Sequence, residues 1–438
     1  MLKNKLPVFL VGLTAATALI SACSSNKDIP QGKRIAVLEQ SSELRTEGRS
    51  DIKIQVPAVS AVNTWYQSGY NAQHVTPNIR VGTDFTKQWK ADFGKGSSKR
   101  EFLISQPLVN QNTVYTLDAG GLLRAFKLQD GETVWATELK SQNKYVRDTS
   151  MKGVGIAMDG QNIYAVTGYG VVFAVRAKDG AVQWEKDLQI PLRTAPVLAN
   201  GKLFIQSSEN KFWSLDRRSG EILWDYDIAL ENTTMVGGAP AAYCADLDII
   251  VAGFSNGELQ AFNASLGSAL WSDMLIANRQ AYSSTFLHTI QAAPVVEGER
   301  VYALGNSDVL TAIDVRTGTR LWEREIGGSQ TPLLSGNVLY VVSDKNHLVA
   351  VAKDSGAVLW TTPIEHEGKA SDVTVFAPIM LDGRLIVALS NGQVLSFDPR
   401  SGRQINAINL KEKLNSAPIA ANGYILFTTS NAKLIAYK

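Results

Sequence analysis

Cysteine is nearly absent. The chain holds two, Cys23 and Cys244, so neither a disulfide framework nor a multi-cysteine zinc site can organise the fold. Histidine is scarce too: His74, His288, His347 and His366 are scattered, with no pair at metal-ligand spacing. Neither sign of charge dominates. A total of 43 Lys and Arg stands against 41 Asp and Glu, a formal charge of +2. This speaks against nucleic acid as the main partner, because phosphate binding needs clustered cations. No G-x-S-x-G elbow, P-loop or HExxH motif occurs. Long apolar runs are missing as well, and the most apolar one, Val8 to Ile20, is too short to span a bilayer.

That run follows Lys3 and Lys5 and ends in Ile20-Ser21-Ala22-Cys23. The grouping is shaped like a secretory signal and resembles the bacterial lipobox. The resemblance implies cleavage before Cys23 and lipidation of Cys23, palmitate included. An ordinary signal peptide that happens to end near a cysteine is the alternative. More than one acyl chain gives stable anchoring without a spanning helix. By the sorting rule for such lipoproteins, Ser24 directs the chain to the outer membrane. Three segments are therefore expected: a signal peptide over 1–22, a lipidated flexible tether over 23–63, and a folded body over 64–438. Within the tether, Ile35 to Gln40 is apolar enough to pack on the body or on a partner. Cys244 reads as a buried or half-buried thiol.

What the sequence has in abundance is one repeating frame. Ala312, Gly318 and Trp322 recur with identical spacing as Ala125/Gly131/Trp135, Ala174/Gly180/Trp184 and Ser214/Gly220/Trp224. They recur again as Ala261/Gly267/Trp271, Ala350/Gly356/Trp360 and Ser396/Gly402/Asn406, where the Trp is lost. Alternating apolar residues before the Gly predict a strand. The Gly suits a hairpin that needs positive φ. The Trp can cover the neighbouring unit, a packing role, with ligand contact as the alternative. Acids such as Asp314 and Asp398 before the Gly read as hydrogen-bond acceptors for the turn backbone.

A second piece opens each unit: Pro107, Pro196, Pro240, Pro294, Pro332, Pro378 and Pro418, with Ile156 in the Pro place of the second unit. Eight openings meet seven complete endings. The last unit stops three strands after Pro418, and an orphan strand around Trp89 precedes the first. Pairing the two predicts an all-β fold: an eight-bladed β-propeller of four-stranded antiparallel blades, closed by an N-terminal strand against the three C-terminal strands. From opening to Trp the spacing is 28 residues in six complete units and 31 in the unit holding Cys244. The links between units vary far more, from 10 to 23 residues. All links fall on one rim, which either marks a binding face or reflects tolerant surface loops.

The frame Ala312-Ile313-Asp314-Val315-Arg316-Thr317-Gly318 through Trp322 resembles the repeats of pyrroloquinoline-quinone (PQQ) dehydrogenases. Many of those carry an adjacent Cys pair and calcium-binding acids in the funnel; this chain has no Cys-Cys. Lipobox, short tether and eight units together resemble the BamB family of outer-membrane assembly lipoproteins more closely. That resemblance implies a non-catalytic scaffold of the β-barrel assembly machinery, with no catalytic residue, cofactor or metal. It would sit on the periplasmic face of the outer membrane of a Gram-negative bacterium. Implied partners are the POTRA domains of BamA, other subunits, and unfolded outer-membrane proteins as clients. Implied contacts are Ile190, Leu192 and Arg193 at a loop tip, with Leu192 as a blade-core cap the alternative. A later loop aligns at His288 to Gln291, where the family's acidic pair is replaced by neutral residues, so Thr289 and Gln291 are the candidates. A PQQ-dependent quinoprotein-like dehydrogenase, or another envelope ligand-binding propeller, is the alternative function.

Overall fold

The structure, a computed structural model, describes Thr46 and residues 51–438 apart from 83–84, 99–100, 143–152, 230–236, 277–287 and 370–371. The expected signal peptide and Cys23 lie outside the described residues. The rest forms eight antiparallel sheets, one per sequence unit, arranged as the blades of a β-propeller. Blade one begins at Leu108–Asn110, and the eighth contains Ile419–Ala421, Tyr424–Thr428 and Lys433–Tyr437. The fourth strand of that eighth blade is Lys87–Asp92, with Trp89 opposite Ala436.

The register explains the frame. In every complete unit the small residue stands across the strand pair from the Trp position, as Ala312 does from Trp322. Each indole then reaches the next blade. Trp271 Nε1 donates to the Val315 carbonyl at 2.7 Å, and Trp322 to that of Lys353 at 2.8 Å. The hairpin glycine of that next blade lies directly on the ring. At Gly318, φ is 73°, and a Cβ would stand 2.6 Å from Trp271 Cγ. The same contact joins Trp89 to Gly131, Trp135 to Gly180, Trp184 to Gly220, Trp224 to Gly267, Trp322 to Gly356 and Trp360 to Gly402. Gly and Trp of the repeat are thus partners across blades. Asp314 closes its turn by accepting from the Arg316 and Thr317 amides at 3.0 and 2.9 Å. The Thr317 amide bond, chiefly, holds its carboxyl below the usual range.

In a four-stranded meander the first and third turns open on one face, and the second turns and inter-blade links on the other. The first face carries an element that no repeat announces. Residues 53–82 run around it as a belt that hydrogen-bonds the innermost hairpin of every blade. Lys53 and Gln55 hold Asn337 of blade six. The Val62 carbonyl takes the Asn422 amide of blade eight, and that of Asn63 takes Gln111 of blade one. Tyr66 takes Met158 of blade two, Ala72 takes Tyr243 of blade four, and Gln73 takes Val296 of blade five. Gln67 clamps Leu198 of blade three through both ends of its amide. Ile79 then pairs with Met380 and Asp382 of blade seven. Over 53–63, inside the expected tether, the segment is bonded to the propeller, its carbonyls and amides partnering groups at the hairpin ends.

Candidate partner-binding face

The inter-blade links sit on the opposite face. Ile190 to Arg193 connect blade two to blade three, and they lie flat on it. Leu192 bridges Ser207, the Arg193 amide donates to the Gln206 carbonyl at 3.2 Å, and the Ser208 amide to that of Pro191 at 2.8 Å. Leu192 is 3% exposed and Arg193 5%. Ile190 is half-buried and Pro191 exposed. The expected loop tip is thus a tucked segment that shows Pro191 and part of Ile190.

Arg193 is unusual. Its Nε, Nη1 and Nη2 are all buried without an acceptor among the described residues. Burial alone lowers its pKa to about 10, so it stays cationic at neutral pH. The space it occupies depends on Gly238 at the next blade opening, where a Cβ would lie 2.4 Å from Nε.

From Arg193 a polar path crosses blades three to five. Gln206 Nε2 donates to the Gly253 carbonyl at 3.0 Å, while its Oε1 is buried without a donor. Ser255 Oγ donates to Asn210 Oδ1 at 2.8 Å, and its carbonyl accepts from Thr289 Oγ1 at 3.2 Å. Thr289 is fully buried. Gln291 is half-buried, accepts from Asn306 Nδ2 at 3.3 Å, and lines a cavity of about 250 Å³ together with Gln330 and Asp344. Burial, with Asp308 adding repulsion, raises the Asp344 carboxyl above its ordinary pKa.

Seven tryptophans, Trp89, Trp135, Trp184, Trp224, Trp271, Trp322 and Trp360, lie between blades, away from this face. Among the described residues no three His, Cys, Asp or Glu side chains converge as a metal site requires. Cys244 is buried on the belt side with its thiol donating to the Gly298 carbonyl at 3.3 Å. It has no neighbouring cysteine that would fit a quinone site. Among the described residues the face offers one desolvated cation, Arg193, and the side-chain amides of Gln206 and Gln291.

The family model described as outer membrane protein assembly factor BamB matches residues 119–362, more than half of the chain. The chain belongs to the BamB family of outer membrane protein assembly factors. A relative from Yersinia pestis bearing that description is 25% identical over 369 residues, covering 83% of this chain and 92% of that protein. The crystal structure of BamB from Moraxella catarrhalis superposes with a TM-score of 0.68 at 18% identity, over 81% of this chain and 99% of that one. A quinohemoprotein alcohol dehydrogenase from Comamonas testosteroni also reaches 0.68, at 10% identity, over 86% and 81%. At such identities both structural likenesses speak for the fold alone. Family membership makes this chain an assembly factor of the outer-membrane machinery, as its relatives are named.

Proposed function

We propose that the chain is a non-catalytic scaffold, lipid-anchored through Cys23 on the periplasmic side of the outer membrane. Its link face holds the POTRA domains of BamA, so that outer-membrane proteins are folded and inserted nearby. The observation that carries this reading is Arg193. A guanidinium out of water, with no acid beside it among the described residues, is costly to the free protein, and the cost is offset when a partner supplies the counterion. Pro191 and Ile190 give an apolar lip beside it, and Gln291 extends the contact with neutral hydrogen bonds. The folded body over 64–438, with the belt docked from 53, is then the rigid part, and residues 23–52 are the reach to the membrane.

The test separates binding from folding. Arg193→Met removes a buried charge while keeping the bulk of the side chain, so it should leave the melting temperature equal or higher. It should weaken capture of BamA by about thirtyfold or more, because truncating one partner of a buried charge pair costs 2–5 kcal/mol or more. Capture of BamA equal to that of the parent chain would overturn the assignment. Cys23→Ser should release the chain from membranes with the propeller intact.

A further inference from the structure

Five blades share a packing rule that blade seven breaks at both of its positions. In five blades an aromatic residue of the second strand lies beside its own blade's Trp: Tyr115, Tyr164, Phe204, Tyr302 and Tyr340, with ring centroids 5.9–6.2 Å apart. The two rings fill the wedge toward the next blade. In blade seven both are gone, since Ile386 takes the place of the Tyr and Asn406 that of the Trp.

The substitution is not fully compensated. Phe85 enters from the belt's end and stacks on Tyr437 with centroids 4.8 Å apart, which covers only the blade-eight side. What remains is a pocket of about 620 Å³ walled by Phe85, Ile386, Ile408 and Ile425, within the size range of small-molecule sites. Ser396 lines it at 8% exposure, with its Oγ buried and unpartnered. The sibling Ser214 is also unpartnered, but there the residue across the strand pair is Trp224, not Asn406. At the mouth stand Arg80 and Arg384, with Asp382 as the one acid among the described residues. Asp382 accepts from the Val81 amide at 3.2 Å, and no ion pair joins either arginine to an acid among the described residues.

We propose that the wedge between blades seven and eight is a binding site for a flat aromatic carboxylate. The ring would enter the space that the missing indole and phenol vacate. The Ser396 hydroxyl would meet a polar ring atom, and the arginines would take the carboxylate in charge-assisted hydrogen bonds. This site lies between blades and is independent of the link face and of Arg193.

N-acetyl-tryptophan is the probe, titrated into the full chain and followed by calorimetry and ligand-observed NMR. Saturable binding is expected, weakened about tenfold for the neutral N-acetyl-tryptophanamide. Arg384→Gln, an exposed position, should erase that difference between the two probes. Asn406→Trp restores the sibling packing, so it should abolish binding while raising the melting temperature. Absence of saturable binding at millimolar probe, or binding unchanged in both variants, would overturn the proposal.

Discussion

At the scale of single residues, the belt holds one titratable group that the fold keeps neutral. His74 is buried, and its Nδ1–H donates to the Pro294 carbonyl at 2.7 Å. Burial pushes its pKa down to about 4, the carbonyl bond opposing. The native state therefore refuses a proton that the unfolded chain accepts below about 6.5. Stability from this group is complete above that value and falls as pH drops toward 4, by roughly 3 kcal/mol in all. Chemical denaturation between pH 7 and 4.5 should show the loss, and His74→Gln should flatten that part of the profile. In the sequence His74 stands out only as one of four scattered histidines. Its carbonyl partner lies more than two hundred positions away, and nothing local points to it.

At the scale of elements, the repeat was legible because it is physical. A small residue opposite an indole, and a glycine lying on the preceding indole, are constraints that recur at seven of the eight joints and so print a spacing. Two glycines separate the parts of that constraint. Gly201 and Gly318 have nearly equal φ, 74° and 73°, but a Cβ at Gly201 meets nothing within 4 Å. Gly201→Ala should cost only the left-handed penalty of about 1–2 kcal/mol. Gly318→Ala must also displace Trp271 and should cost about 2 kcal/mol more, as read by urea denaturation of the pair. The belt printed no such signal. It occurs once, and most of its bonds come from backbone carbonyls and amides that any residue supplies. The burial of Leu192 and Arg193 was hidden for a related reason: the length of a link does not say which of its residues turn inward. Of the open wedge, the repeat showed Asn406 in place of Trp, while Ile386 lies outside the repeating frame and its place beside that position emerges only from the blade packing.

At the scale of the whole molecule, eight blades are held by two independent fastenings, the strand Lys87–Asp92 in blade eight and the belt on the hairpin face. Removing residues 51–62 should leave the ring shut while freeing the amide of Asn422, and with the segment's end loosened that of Gln111, which now bond to Val62 and Asn63. Hydrogen exchange at those two amides should speed up by about tenfold or more, with interior strands such as Val338–Val342 unchanged. Equal protection in both proteins would mean that the belt's first half contributes no local stability.

The pairing of Lys87 with Tyr437 also fixes an order of events in time. Residue 437 must be present before the strand that begins at Lys87 can find its neighbour. Such a high-separation contact makes ring formation a late, slow step, and until then the emerging chain carries two raw sheet margins.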